Sequence, residues 1–318
     1  MPAISFLPFL QSVPLTTRLL VITQISLSLL VMLYRLMVKG SDMPWLVLSP
    51  GKSWLYPWTL VTAGWVENNL VELAFSALSL GFASRYLERV WGPRELVRFC
   101  LVVVIGGNII AFGFGWLVFL VIGQEDAIYG PPFHGLSGLQ AGFLVAFTQL
   151  IPEHQLQMFG VIKMRVKSLP GVYLLISNVL VILLGPSPYI LIQFGFFVAW
   201  VYLRFFKLSE DGQFRGDRSE TFAFQYWFPP IIRPYISIAA NKVFALAVKL
   251  HLTQAWDEPS LGTYQSLPGP GGARAEAERR RALALKALDA RMASPAVPSP
   301  TPPPATTVPA AVVKVEGE

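Results

Sequence analysis

Cysteine is nearly missing from this chain. Its single cysteine, Cys100, excludes an intrachain disulfide, a redox pair and a cysteine-built metal centre. Charge is scarce as well: 14% of the 318 residues are Asp, Glu, Lys or Arg, against about 25% in soluble globular proteins. So few charges cannot cover a water-facing exterior. Histidine occurs only as His134, His154 and His251, which limits the candidates for a general base to those three. The N-terminus lacks the basic flank, apolar run and small-residue cleavage site of a signal peptide, and Pro14 interrupts its apolar opening. The first span is therefore expected to serve as an uncleaved signal anchor. Phosphate-cradling glycine loops, clusters with metal-ligand spacing and nucleic-acid modules are also missing. Neither a cofactor, a metal nor a nucleic-acid partner is expected on these grounds.

What is present in abundance is apolar sequence: 53% of residues are hydrophobic, and they fall in blocks that approach the roughly 20 residues needed to cross a bilayer. The blocks run over 18–38, 59–85, 96–122, 135–151, 170–184 and 187–206. Alternating polarity is absent, and backbone groups in lipid must be satisfied within the segment, so helices are expected rather than barrel strands. The fold expected is an all-α polytopic membrane protein with a six-helix bundle at 18–207, preceded by a short cytosolic segment at 1–17. Orientation follows from the basic residues, which resist translocation. Arg18, Arg85, Arg89, Arg94, Arg98, Lys163, Arg165, Lys167, Arg204 and Lys207 all fall on one side of such a bundle. An even helix count then places both termini in the cytosol. The net charge of +6 belongs to loops facing anionic headgroups, where each basic residue contributes about 1 kcal/mol.

After Phe206 the chain becomes polar, then aromatic and proline-rich over 222–235. The stretch 236–252 is short for a span and carries Asn241, Lys242 and Lys249, which favours an interfacial amphipathic helix within a cytosolic segment at 208–258. Pro, Gly, Ala and Ser dominate 259–318, a composition that cannot bury enough apolar surface to offset the entropy of folding. That tail is expected to be disordered, with a possible helix at 273–292.

Polar residues inside a span are costly, and each calls for an explanation. Glu72 is the costliest, with Glu67, Asn68 and Asn69 nearby. It could hold an ion or substrate; the plainer reading is a neutral, hydrogen-bonded partner of a neighbouring helix. The fourth block opens His134-Gly135-Leu136-Ser137-Gly138, followed by Gly142. Close helix packing alone explains the glycines. A functional reading makes Ser137 a nucleophile, which then needs a base within hydrogen-bond reach.

Six spans, the G-x-S-G at Gly135–Gly138 and Glu88-Arg89-Val90-Trp91-Gly92 closing span two resemble the rhomboid superfamily. In rhomboid proteases that serine is the nucleophile and its base is a histidine in the sixth span. Here Ile192 stands at the expected position, and Gln193 is the alternative one residue on. Glu72 and Ser76 occupy the places where such proteases carry the histidine and asparagine that help hold the oxyanion. His134, one helical turn before Ser137, is the one remaining candidate base for an intramembrane serine protease; otherwise it caps the fourth helix or hydrogen-bonds Glu72. On this reading Ser137 and His134 are vestigial and Glu72, Ser76, Gly135 and Gly138 form an intramembrane polar cluster.

A closer resemblance rests on Tyr56–Gly64, Arg85–Gly92, Phe133-His134-Gly135, Phe222-Ala223-Phe224 and Arg233-Pro234. Together they are similar to the rhomboid-like Golgi membrane proteins of the transmembrane protein 115 type, a pseudoprotease branch. Membership implies Golgi residence, non-proteolytic function and self-association. It further implies contact of the cytosolic tail with a tethering complex of the conserved oligomeric Golgi type, and a scaffold or adaptor role in retrograde transport to the endoplasmic reticulum.

Overall fold

A computed structural model describes residues 13–38, 43–158, 162–208, 215–217, 219, 222–228 and 231–249. The tail at 259–318, including the stretch 273–292 where a helix was expected, lies outside the described residues. The described chain is mainly helical, with one two-stranded hairpin.

Helix α1, Leu15–Met37, has an inverted exterior. Its buried residues are Thr17, Gln24, Ser28 and Val31, steps of seven, four and three that line one face, while Leu19, Ile22, Leu29, Leu30, Leu33 and Leu36 are exposed. Water would penalise that arrangement; lipid favours it, because polar side chains gain from facing other helices. Gln24 is completely buried, and neither its Nε2 nor its Oε1 has a hydrogen-bond partner among the described residues. Replacing it with leucine should therefore raise the thermal midpoint of the detergent-solubilised protein, by an amount equivalent to about 1–2 kcal/mol.

The single expected span at 59–85 is divided. It begins as a one-turn helix α2, Thr59–Thr62, and a 3-10 turn, Ala63–Trp65; α3 starts only at Leu70 and runs to Trp91. Continuous hydropathy hides the interruption, whose causes are polar and local. Asn69 adopts extended backbone before the helix, and its amide bonds Glu72 instead of continuing a helical turn. Gly64 lets the turn lie against α4, since a Cβ there would be 2.6 Å from Val104.

At the far end, Gly92 ends α3 and begins α4, Pro93–Ile122, with φ +84° and proline at the first helical position. Glu88 sits one turn before this corner. Its carboxylate accepts hydrogen bonds from the backbone N–H of Thr16 and Thr17 and from the Thr17 hydroxyl, at 3.2, 2.8 and 2.7 Å. An acidic group from one helix thus satisfies the free amides at the start of another. Glu88→Ala should cost about 1–2 kcal/mol, seen as a lower thermal midpoint in detergent.

A one-turn helix α5, Asp126–Tyr129, precedes α6, Ser137–Leu150. The hairpin follows as β1, Gln155–Met158, and β2, Ile162–Arg165, paired antiparallel with Gln155 opposite Arg165. Then come α7, Leu169–Leu184, and α8, Leu191–Val201, which continues into a π-helical turn, Tyr202–Phe206. Among the described residues, four helices are long and apolar enough to cross a membrane: α1, α3, α4 and the stretch Val166–Leu184 that contains α7. The other two expected spans are shorter. At 14 residues, α6 is only about 21 Å long, but seven of those residues are buried, so protein rather than lipid surrounds much of it.

Small residues draw α6 and α8 together. Gly138 and Gly142 on α6 meet Gly195 and Ala199 on α8, a matched four-residue spacing on both sides. A Cβ on Gly138 would lie 2.8 Å from the Leu191 carbonyl, one on Gly142 would lie 3.3 Å from Ala199, and one on Gly195 would fall on the Gly138 backbone. Helix α4 closes the third side, with Gly107 under Gly195. Phe99, Val103, Phe143, Phe196 and Leu203 fill the space between.

The chain after α8 folds back. Arg204 donates to the carbonyls of Asp217 and Ser219, both at 2.6 Å, and Trp200 donates to Phe222 at 3.1 Å. Helix α9, Arg233–Lys249, buries none of its residues, yet Phe244 stacks on Phe205 with centroids 5.8 Å apart. It is not among the helices long and apolar enough to cross a membrane, and residues 250–252 of the expected interfacial stretch lie outside the described residues.

Candidate functional site

The break before α3 and the start of α6 lie side by side. Gly135, at φ +96°, donates its N–H to the Ala63 carbonyl at 3.0 Å, and this bond brings the His134–Ser137 turn against Glu67. Glu67, not Glu72, is the buried acid, at 4% exposure. Its Oε1 accepts from the Ser76 hydroxyl at 2.6 Å and from the Leu136 N–H at 2.9 Å; its own N–H donates to Ser28 at 2.9 Å. A network continues from Ser76. The Gln140 amide donates to Ser76 and Ser79 at 3.3 and 2.9 Å, and its carbonyl oxygen accepts from Tyr173 at 2.9 Å. Five elements are held by one chain of polar contacts: α1, the break, α3, α6 and α7.

Burial takes the Glu67 carboxyl out of water, and the hydrogen bonds from Ser76 and Leu136 offset part of that cost. Glu72 itself occupies the first turn of α3, partly exposed, and accepts from Asn69 at 3.0 Å. A carboxylate at a helix start gains from the macrodipole. The high intramembrane cost expected for Glu72 therefore falls on Glu67, where the break admits backbone donors.

The remaining residues of interest separate into two groups. Ser76 and Gly135 join the network, and Glu88 and Gly92 build the α3–α4 corner described above. Gly138 belongs to the α6–α8 seam. Ser137 is the first residue of α6, and its buried Oγ has no hydrogen-bond partner among the described residues. No bond therefore links it to His134, and no side chain caps α6. Ile192 is 3% exposed and packs in the apolar core. Gln193 points elsewhere and donates to Asn178 at 2.9 Å. Two network members, Gln140 and Tyr173, went unrecognised at the level of sequence, although an amide inside an apolar block was a signal available for Gln140.

Comparison with known proteins bears on the same features. The family described as eukaryotic integral membrane protein (DUF1751) matches residues 18–294. This chain belongs to that family. Rhomboid-like protein 19 of Arabidopsis thaliana is 31% identical over 254 residues, covering 79% of this chain and 82% of that protein. Transmembrane protein 115 of Homo sapiens is 33% identical over 251 residues, covering 77% and 70%. The transmembrane protein 115 homolog of Saccharomyces cerevisiae is 26% identical over 279 residues, covering 79% and 81%. The DUF1751 chain described here is thus a rhomboid-like integral membrane protein, and its polar network occupies the region where rhomboid resemblance places Ser137.

Proposed function

We propose that this protein is a non-catalytic member of its family, acting as a membrane scaffold or adaptor. The observation that carries the reading is the isolation of Ser137: its Oγ has no base, and the position at which a sixth-span histidine would stand is Ile192, embedded in apolar side chains. A serine hydroxyl without an oriented base retains little of the catalytic rate. The α6–α8 seam supports the same conclusion, because Gly138 and Gly195 are already in backbone contact where a base and a peptide would need room. A packed bundle with a polar tie is suited to binding.

Residence in the Golgi with both termini cytosolic, self-association, and a part in retrograde transport to the endoplasmic reticulum through a tethering complex come with the family resemblance and form part of this proposal. Helix α9 supports it as a cytosolic-face element: its exposed Ile238, Val243 and Leu246 would enter the headgroup layer and its Lys242 and Lys249 would meet anionic lipid. Cells lacking the protein provide the test. Re-expressed Ser137→Ala protein should restore Golgi morphology and retrograde cargo flux as well as wild type does. A chain truncated before Pro259 should reach the same membrane but lose proximity labelling of tethering subunits. Loss of rescue by Ser137→Ala at normal level and location would overturn the scaffold reading.

A further inference from the structure

Beside the polar network lies a second grouping that the scaffold reading does not use. Glu67, Glu72 and His134 each offer a ligating atom, and these atoms all lie within 4.8 Å of one another. One acid lies within the break before α3 and the other in the first turn of α3, and the imidazole comes from the turn before α6. A contact between His134 and Glu72, 62 positions apart, was among the expectations from sequence; the addition of Glu67 was not.

The hydrogen bonds around the two carboxylates are as informative as the distances. Each acid has one oxygen held by protein donors and one left over. On Glu67, Oε1 takes Ser76 and Leu136, and no described donor reaches Oε2, which faces Gly135. On Glu72, Oε1 takes Asn69, and the buried Oε2 has no partner. Asn68 adds another buried oxygen, Oδ1, without a donor. A ligating carboxylate has this pattern: outer contacts orient the group and leave one oxygen for the ion. Gly135 keeps the space open, since a Cβ there would lie 2.9 Å from Glu67 Oε2.

We propose that Glu67, Glu72 and His134 form a binding site for one divalent transition-metal cation of the zinc or manganese class, tying the start of α3 to the start of α6. Two carboxylate oxygens and an imidazole suit such ions better than magnesium or calcium, which take all-oxygen shells, or copper(I), which takes sulfur. The dimensions fit. With metal–ligand bonds of about 2.1 Å, tetrahedral ligand atoms lie about 3.4 Å apart, so atoms up to 4.8 Å apart close in by as much as roughly 1.4 Å when the ion enters, a movement that side-chain rotation of Glu72 and His134 supplies. A dication also offsets the repulsion of two neighbouring carboxylates, which a shared proton does only in part.

The test uses the full chain, purified in detergent on an affinity tag free of histidine, stripped with chelator and dialysed against ZnCl2 or MnCl2 alone. Metal content and thermal midpoint are read together. The proposal predicts one equivalent of at least one of the two metals per chain and a midpoint that rises with metal concentration. Glu72→Gln and His134→Gln should each weaken binding by about 100-fold, by comparison with the 10- to 100-fold cost of losing a supporting contact. The metal-free midpoint of each variant is measured alongside, so that the metal-dependent rise is read against each variant's own baseline. Glu67 is left unchanged, since it anchors Leu136. Absence of stoichiometric binding of either metal to wild type, or equal binding by wild type and both variants, would overturn the proposal.

Discussion

Gly195→Ala should destabilise this protein more than any other single methyl addition in α8. The added Cβ would fall on the carbonyl, carbonyl carbon and Cα of Gly138. All three are backbone atoms of a buried helix and cannot move aside as a side-chain tip does. Relief requires separating α6 from α8, which would also loosen Gly142 from Ala199 and Gly107 from Gly195. The expected cost is about 3 kcal/mol, at the upper end for overpacking, or a midpoint roughly 6–12 °C lower for a domain of this size. Gly113 on α4 is the control. Nothing lies within 4 Å of a Cβ there, so Gly113→Ala should be neutral or stabilising by up to about 1 kcal/mol through helix propensity. Thermal melts in one detergent, followed by loss of the monodisperse size-exclusion peak, compare the pair directly. Equal midpoints for the two variants would show that the α6–α8 seam is looser than described.

Glu67→Ala should have an effect of similar size for a different reason. Removing the carboxylate strips Ser76 and Leu136 of their acceptor inside the bundle. Each stranded donor costs about 1–3 kcal/mol, so a total near 3 kcal/mol is expected. Glu67→Gln keeps an acceptor oxygen in the same place and should cost about 1 kcal/mol or less by the same reasoning. The difference between the two variants separates loss of an acceptor from loss of a charge. A glutamine variant as unstable as the alanine one would assign the effect to charge instead. Midpoints measured after chelator treatment keep any bound cation out of the comparison.

The contrast between these sites shows what a sequence of this kind reveals. Apolar blocks announce themselves because lipid contact demands long hydrophobic runs, and each expected block is largely helical in the structure, with the one at 59–85 divided. The glycine spacing at Gly138 and Gly142 was also legible, since close packing needs small residues at four-residue steps. The break at Val66–Asn69 was not. Hydropathy averages over a window, and four residues do not interrupt a 27-residue apolar block. That one feature decides the site: it moves Glu72 to a helix start, buries Glu67 and lets Gly135 pair with Ala63. The role of Glu88 was equally invisible, because the amides it satisfies belong to Thr16 and Thr17, more than seventy residues away in sequence. Polar pairing between helices depends on which faces meet, and composition carries no record of it.

Ile192 is a position that both sequence and structure single out. Resemblance marked it as the place of a missing base, and the structure puts it among apolar side chains rather than beside a cleft. Gln193, the one-residue alternative, bonds Asn178 on α7. Neither side chain, an alkyl group or an amide, can serve Ser137 as a base.

Labelling of Ser137 by a fluorophosphonate probe tests this account most directly. The reagent traps an activated serine, and activation requires a base in hydrogen-bond contact. Protein in native membranes, incubated with the probe and resolved by intact mass, should show no adduct, and wild type and Ser137→Ala should be indistinguishable. An adduct on wild type that disappears in both Ser137→Ala and His134→Gln would mean that the two residues meet as a catalytic pair, contradicting the isolated hydroxyl on which the non-enzymatic reading rests.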